Sequence, residues 1–333
     1  MMEQGDIFKS VQDLMRDVPL FLIGTGGSIP YGLPGMKELS EHLNTALTPK
    51  YSAHTAWNEF IDRISNGVDL ETALTDLTLS TEIQNDIVRE TWHLVSRADL
   101  AFLEQLILKR KSISALAGLF RYFYQPSPQK LNILTSNYDR VIEYACDFAR
   151  LPLDNRFHGY YIKQLTSTPI QQRKIVNLLK VHGSLDLFQD TNHQVISIPL
   201  QHAIPLGYQP CIITPGSEKY RVILQEPMRQ MLYDAITLMN QASGYLCIGY
   251  GFNDEQIQAN IVNGIRQGKP ILVITKEVSD YAAGLLANNS NRYITLAEGQ
   301  YPNTTEVVIN RNIYEINGTY WSVDGLLSIL EGH

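Results

Sequence analysis

Short continuous runs of apolar residues alternate along this chain with segments in which apolar residues recur every three or four positions. The runs are far shorter than the roughly 20 residues that span a bilayer, and they are typical of buried strands in a parallel sheet. The clearest runs lie within residues 19–23, 131–135, 177–181, 245–249 and 270–275. Strands that alternate with helices predict an α/β fold with a doubly wound, mainly parallel sheet.

A helical pattern occupies residues 37–125, where apolar residues such as Leu103, Leu106 and Ile107 follow helical spacing and no clear strand appears. We interpret this region as a helical insertion in the α/β fold. The chain contains no internal repeat and no obvious flexible linker. We therefore predict a single domain over residues 1–333.

The C-terminal half continues the alternation of strands and helices. A helix is predicted over residues 219–241, with Pro227 as a kink or break. Asn253 or Asp254 can cap the helix that follows the run at 245–249. Near the C-terminus, short apolar runs around Asn317-Gly318 predict a small β-hairpin region and then a final helix.

Composition narrows the class of protein. With 333 residues, 44% of them apolar, the chain can bury a full core. The net charge of -7 gives no general electrostatic reason to bind nucleic acid, so we expect no direct contact with it.

The widely spaced Cys146, Cys211 and Cys247 fit a reducing cytosol and do not fit a structural zinc site. Because the N-terminus lacks the features of a signal peptide, we expect a cytoplasmic protein that is not bound to membranes.

A glycine loop, Gly24-Thr25-Gly26-Gly27-Ser28, follows the first apolar run. Such a loop exposes backbone N–H groups and allows a pyrophosphate to approach without interference from side chains, as in sheets of the Rossmann type. The loop lacks the spacing of a full Gly-x-Gly-x-x-Gly fingerprint. A tight turn after a strand therefore explains it equally well.

Polar side chains suited to catalysis follow two other predicted strands, at Asn137 and His182. Doubly wound sheets bind ligands at the carboxyl ends of their strands, so we expect these residues and the glycine loop to share one site. An imidazole, with an ordinary pKa of about 6.5, can take a proton from water at neutral pH. Two structural explanations stay open, since Asn137 can cap a helix and His182 can be a packing residue. His158 is the nearest competing histidine.

Together these loops resemble the sirtuin family. The sirtuin glycine signature, Gly-Ala-Gly-x-Ser followed by Gly-Ile-Pro, is matched at Gly24, Gly26, Ser28, Gly32 and Pro34. Residues 135–139 resemble the sirtuin Thr-Gln-Asn-x-Asp motif, and His182-Gly183 resembles the sirtuin His-Gly pair. Residues 248–254 resemble the Gly-Tyr-x-Phe-x-Asp segment of bacterial sirtuin-like defence proteins. The resemblance covers roughly residues 20–275.

The resemblance implies an NAD⁺ glycohydrolase that cleaves NAD⁺ to nicotinamide and ADP-ribose and needs no metal. In sirtuins the motif asparagine holds the nicotinamide ribose and the attacking water, and the histidine is the general base. Carried over to this chain, the catalytic residues are Asn137 and His182. The residues implied to bind NAD are Gly24, Thr25, Gly26, Gly27, Ser28, Gly32, Pro34, Asp139, Gly249 and Asp254. For Asp254, a helix cap is an equally good explanation.

The defence-protein branch also implies a cellular role, the depletion of NAD in antiphage defence by abortive infection. An unregulated NAD hydrolase would kill its own cell, so we expect control by assembly into a homo-oligomer or by a partner. A HerA-like ATPase is the first partner to test.

Two other functions compete with NAD⁺ hydrolysis. One is an NAD-dependent protein deacylase. This chain has Gly35-Met36-Lys37 where sirtuin deacylases continue with Asp-Phe-Arg, and three scattered cysteines cannot form their four-cysteine zinc module. The other is a module that senses NAD or a related nucleotide without cleaving it, which the fold alone would not distinguish. The presence of both Asn137 and His182 favours an enzyme, because a sensor needs neither a base nor a positioned water.

Overall fold

A nine-stranded sheet forms the centre of the fold in the computed structural model, which describes residues 2–74, 77–125, 130–166, 174–215 and 226–332. The strands, numbered in chain order, are β1 (Leu20–Ile23), β2 (Leu131–Thr135), β3 (Leu153–Asp154), β4 (Phe157–His158), β5 (Lys163–Leu165), β6 (Val176–Lys180), β7 (Gly183–Gln189), β8 (Val195–Ser197), β9 (Gln209–Ile212), β10 (Tyr245–Ile248), β11 (Ile271–Ile274), β12 (Tyr293–Glu298), β13 (Thr304–Ile309) and β14 (Asn312–Asn317). The helices are α1 (Gln4–Leu14), α2 (Met36–Tyr51), α3 (Thr55–Ser65), α4 (Leu70–Leu74), α5 (Thr81–Ile107), α6 (Ser114–Tyr124), α7 (Val141–Ala149), α8 (Met228–Gln241), α9 (Glu255–Arg266), α10 (Asp280–Asn289) and α11 (Val323–Glu331).

The strand order of this sheet is β14-β13-β12-β11-β10-β1-β2-β6-β3. All neighbours from β12 to β3 are parallel, and only β13 and β14 pair in the antiparallel sense. The strand β1 pairs with β2 on one side and with β10 on the other, so the strand order reverses at this point. The predicted doubly wound, mainly parallel sheet is confirmed.

Helices cover both faces of the sheet, which explains why its central strands are mainly apolar. Successive side chains of a strand point to opposite faces. Phe21 and Ile23 of β1 pack into a core with α1, α6, α7 and α11, whereas Leu20 and Leu22 pack into a second core with α8, α9 and α10. Among the described helices, none is long and apolar enough to cross a membrane.

The helices between β1 and β2 confirm the predicted helical insertion. The helices α2 to α5 share a small apolar core of their own, which contains the fully buried Trp57 and Phe60. Contacts of α5 and α6 connect this region to the rest of the fold. Trp92 of α5 donates its indole N–H to the carbonyl of Leu185 at 2.9 Å. The helix α6 packs on the sheet itself, with Phe120 lying 5.7 Å from Phe21 between ring centroids.

A second sheet of five antiparallel strands, in the order β4-β5-β8-β7-β9, was not predicted from the sequence. Its strands are two to seven residues long, and its order is not the chain order, so no local pattern reveals the pairing. The strand β7 begins at Gly183, just after β6 ends at Lys180. The chain therefore passes from one sheet to the other at Val181 and His182.

One local prediction in the C-terminal half was wrong, the position of the hairpin turn. The hairpin of β13 and β14 exists, but its turn is Asn310-Arg311, where both residues have positive φ (45° and 76°), as a two-residue type I′ turn requires. Asn317-Gly318 instead ends β14. At Pro227, predicted as a kink or break, the helix α8 begins directly after the proline. The predicted helix over residues 219–225 lies outside the described residues.

Candidate active site

The carboxyl ends of β1, β2, β6 and β10 meet at a cavity of about 300 Å³. This is the place where the strand order reverses, and open α/β sheets bind their ligands there. The cavity wall includes these residues that were predicted from the sequence: Gly24, Thr25, Pro34, Asn137, Asp139, His182, Gly249 and Asp254. Residues more than 200 positions apart in the chain are therefore brought to one site.

Four other predicted residues, Gly26, Gly27, Ser28 and Gly32, lie outside the cavity wall. Gly27 and Ser28 are buried behind it. Gly32 has a φ of +93° and ends a short 3₁₀ turn, a conformation that favours glycine. Their direct contact with NAD stays a prediction.

The glycine loop packs against the turn after β10, backbone against backbone. A Cβ atom at Gly24 would lie 2.5 Å from the carbonyl oxygen of Gly249, and one at Gly26 would lie 2.8 Å from the Gly249 Cα. The N–H groups of Gly24 and Gly26 donate to the carbonyls of Ile248 and Gly249, each at 3.0 Å. The close approach of these two turns is therefore sufficient to require glycine, and these two N–H groups already have partners within the protein.

The side chain of Asn137 is held in a single orientation. Its Nδ2 donates to the carbonyl of Gly24 at 2.9 Å and to Oγ of Ser28 at 3.1 Å. A carbonyl oxygen only accepts hydrogen bonds, so the contact with Gly24 identifies the amide nitrogen and leaves Oδ1 as the other atom. This oxygen is buried and has no hydrogen-bond partner among the described residues. It therefore lacks the partner that a buried acceptor normally has, in a side chain that lines the cavity.

Asp139 lies behind Asn137 and supports it through Ser28. The Asp139 carboxyl accepts a hydrogen bond from the Ser28 hydroxyl, whose oxygen in turn accepts one from Asn137. Asp139 also accepts from the N–H of Val141 at 3.1 Å, at the start of α7. Burial raises the pKa of the Asp139 carboxyl, and the neighbouring Lys180 ammonium opposes that rise. These contacts connect the glycine loop to the turn after β2.

The turn after β2 is also attached to the helical insertion by a buried ion pair. Arg140 donates from Nη2 to Oδ1 of Asp99 at 2.6 Å and from its backbone N–H to Oδ2 at 2.7 Å. Asp99 lies in α5 and is fully buried. The pair thus fixes the position of the turn that carries Asn137 relative to α5.

Replacing Asp99 with alanine is expected to lower the free energy of unfolding by about 3 to 5 kcal/mol, because the buried Arg140 charge loses its partner. Urea unfolding followed by circular dichroism measures the change. Asp13→Ala is the matched control, since Asp13 pairs with Arg16 at the same 2.6 Å distance but on the surface. The control is expected to cost less than about 1 kcal/mol. Equal losses for the two variants would contradict a structural role for the buried pair.

His182 stands where the chain passes from β6 to β7. The carbonyl of His182 accepts a hydrogen bond from the N–H of Ile213 at 2.9 Å, and the neighbouring Val181 N–H donates to the carbonyl of Thr135 at 3.0 Å. The backbone on both sides of the imidazole is therefore held by β2 and by the segment after β9. The competing His158 does not line the cavity, and its Nε2 contacts Asp154 at 3.1 Å.

Asp254 contacts His182 and also caps a helix. Its Oδ1 accepts from the N–H groups of Gln256 and Ile257 at the start of α9, at 3.1 and 3.2 Å. Its Oδ2 lies 2.6 Å from Nε2 of His182. The helix cap expected from the sequence is confirmed, and the second oxygen of the same carboxylate reaches the predicted catalytic histidine.

The sequence analysis did not single out two further residues of the cavity wall, Tyr250 and Glu71. The Tyr250 hydroxyl is buried and has no hydrogen-bond partner among the described residues. Burial raises the pKa of Tyr250 well above its ordinary value, with Asp254 and Glu71 as further causes, so the phenol stays protonated. Tyr250 belongs to a motif that the sequence did reveal, whereas no sequence signal marks Glu71, which lies on α4 of the insertion.

One protein-family model matches about half of the chain. Residues 131–294 match the family model of the SIR2-like domain. This stretch contains Asn137, His182 and Asp254 but not the glycine loop. The resemblance to sirtuins is thereby confirmed at the level of a SIR2-like domain. No curated protein matches the sequence.

Several solved Sir2 structures are similar to this chain. A Sir2 homologue mutant in complex with ADP-ribose is 12% identical, with 99% of this chain and 97% of that chain covered and a TM-score of 0.49. A structure that describes the mechanism and regulation of Sir2 enzymes is 11% identical, with 99% of each chain covered and a TM-score of 0.49. A Sir2 mutant with a deacetylated peptide and 3'-O-acetyl ADP-ribose is 12% identical, with 88% of this chain and 93% of that chain covered and a TM-score of 0.45.

Proposed function

We propose that this protein is an NAD⁺ glycohydrolase. In the proposed reaction, water adds across the bond between the nicotinamide nitrogen and C1 of the ribose, and nicotinamide, ADP-ribose and one proton are released. The observation that carries the proposal is the presence of two complementary groups in one cavity, the unpartnered amide oxygen of Asn137 and the imidazole of His182. The match to the SIR2-like domain over residues 131–294 supports NAD as the substrate.

Hydrolysis of NAD⁺ requires the protein mainly to position the reacting groups. Cleavage of the N-glycosidic bond passes through a ribose centre with oxocarbenium character, so the site has to orient the ribose and a water molecule and accept one proton. Oδ1 of Asn137 can accept a hydrogen bond from a ribose hydroxyl or from the attacking water. The imidazole of His182 can take the proton that the water loses as it adds to the ribose.

The charges of the described cavity wall suit the nicotinamide end of NAD⁺. Glu71 and Asp254 contribute carboxylates to the wall, and His182 is the basic side chain among its described residues. As the bond breaks, the positive charge moves from the pyridinium ring to the ribose. Nearby carboxylates stabilise this positive charge both before and after it moves. The protonated Tyr250 hydroxyl adds a hydrogen-bond donor to the same wall.

We further propose that hydrolysis depletes cellular NAD in antiphage defence. The support is the resemblance of residues 248–254 to a segment of bacterial sirtuin-like defence proteins. Control by a homo-oligomer or by a HerA-like ATPase belongs to this proposal.

The proposal is tested by incubating the purified full chain with NAD⁺ over a wide range of protein concentration. Chromatography follows the substrate and the products, and calorimetry measures NAD⁺ binding in parallel. We expect nicotinamide and ADP-ribose in equal amounts, without an acyl-lysine peptide. If NAD⁺ binds and stays intact at every concentration, also after a HerA-like ATPase, ATP and DNA are added, the proposal is overturned in favour of a sensing module. If nicotinamide is released only with an acyl-lysine peptide, the protein is a deacylase instead.

A further inference from the structure

We infer that Asp254 is a positioning residue for His182, and that its carboxylate holds the imidazole through Nε2 and leaves Nδ1 as the nitrogen that accepts the proton. The inference deepens the proposed function and rests on it for its catalytic meaning. The geometry that carries it is the 2.6 Å contact between Nε2 of His182 and Oδ2 of Asp254.

Both partners of this contact are shielded from solvent, and Asp254 is also held in place. The side chains of His182 and Asp254 are only 11% and 8% exposed. Asp254 cannot swing away freely, because its Oδ1 is occupied by two N–H groups of α9 and its carbonyl accepts from the N–H of Gln258 at 2.8 Å. A buried carboxylate at this distance interacts strongly with an imidazole, because little water is present to screen the charges.

The contact determines which nitrogen of His182 is the base. A neutral imidazole carries one N–H donor and one acceptor nitrogen, and a carboxylate only accepts hydrogen bonds. Nε2 beside Oδ2 therefore carries the hydrogen, which leaves the lone pair on Nδ1. The N–H bond does not point straight at Oδ2. The histidine ring torsion is broad, so a rotation that aligns the two atoms costs little.

A helix cap does not by itself require aspartate at position 254. Of the other side-chain caps of described helices that accept a backbone N–H, Asp69 at α4 is an aspartate, whereas Ser80, Ser279 and Ser322 are serines. Serine, asparagine and aspartate cap helices about equally well. Only a carboxylate can cap α9 with one oxygen and place a second acceptor beside His182.

The test compares variants that keep the cap but change the contact with His182. Asp254→Ser keeps a capping oxygen and is too short to reach the imidazole. Asp254→Asn keeps the size and the cap, but its amide can donate to Nε2 and thus favours the opposite tautomer. Ser279→Ala is the control, because it removes the cap of α10 and leaves the cavity unchanged.

We expect Asp254→Ser to lower kcat for NAD⁺ cleavage by on the order of 10²-fold, the cost of misplacing a catalytic group by about 1 Å. The control should keep wild-type kcat. Nitrogen NMR of the His182 ring supplies a measurement that does not depend on activity. It should show the hydrogen on Nε2 in the wild type and a shift toward Nδ1 in Asp254→Asn.

Two results would overturn the inference: wild-type kcat in both Asp254 variants, or a hydrogen on Nδ1 in the wild-type protein. If Asp254→Ser does not fold, Asp254→Asn and the wild-type NMR spectrum still decide the question. The proposed function fails separately, if the wild type does not cleave NAD⁺ at all. In that case the NMR result still reports whether Asp254 orients His182.

Discussion

Replacing Asn137 with alanine is expected to lower kcat/KM for NAD⁺ cleavage by at least about 10²-fold, because the ribose and the attacking water lose the group that orients them. The expectation follows from the fixed orientation of the amide, whose Nδ2 contacts Gly24 and Ser28 while Oδ1 remains unpartnered among the described residues. Steady-state release of nicotinamide measures the loss. Asn192→Ala serves as the control, because Asn192 is exposed and does not line the cavity.

A second variant, Asn137→Asp, separates orientation from the mere presence of an oxygen. Aspartate keeps an acceptor of the same size but has no N–H to donate to the carbonyl of Gly24. A carboxylate oxygen in that place would be repelled by the carbonyl, so the aspartate variant should also be inactive. Near-normal cleavage by either variant would show that Asn137 does not position the substrate.

Replacing His182 with alanine or glutamine is expected to lower kcat by about 10²- to 10⁴-fold, the usual contribution of a general base. Affinity for NAD⁺ should change little, because the base acts on the attacking water and not on the bound cofactor. Single-turnover cleavage and calorimetric binding separate these two effects. Alanine leaves the buried Asp254 carboxylate without a partner, whereas glutamine keeps a polar side chain beside it. A loss of kcat in both variants therefore reports the missing imidazole and not an unpaired Asp254.

His202→Ala is the matched control, because His202 is exposed and lies outside the cavity wall. It should behave like the wild type. Loss of NAD⁺ binding in His182→Gln, with normal turnover of the substrate that does bind, would assign His182 to binding and remove it as the base.

The arrangement of the site explains why these replacements should lower activity without preventing the protein from folding. Asn137 and His182 follow β2 and β6 closely. The Asn137 N–H donates to the Thr135 hydroxyl at 3.0 Å, and the His182 carbonyl accepts from the Ile213 N–H at 2.9 Å. Stability depends more on other contacts, such as the pair of Asp99 with Arg140 and the close backbone approach of Gly24 and Gly249. Activity and stability are thus assigned to different residues of the same turns.

Much of the fold and part of the site follow from local sequence. The strands β1, β10 and β11 are continuous apolar runs and β2 and β6 are mainly apolar, because helices cover both faces of the parallel sheet. Asn137, His182 and the glycine loop could be placed at one edge of the sheet, since parallel strands present their carboxyl ends together. The cap of α9 by Asp254 is also local, since it involves only the next three residues.

The tertiary structure decided whatever depends on contacts between distant segments. The second sheet is built from short strands paired out of chain order, and its strands β4, β5, β7, β8 and β9 leave no periodic pattern long enough to detect. The hairpin turn fell at Asn310-Arg311 and not at Asn317-Gly318, because the pairing register of β13 and β14 set its position. The contact of His182 with Asp254 and the entry of Glu71 into the cavity wall likewise join residues that are far apart in the chain. Sequence patterns report whether residues close together in the chain are buried. The directions of the His182, Asp254 and Glu71 side chains are instead set by packing between elements that are distant in the chain.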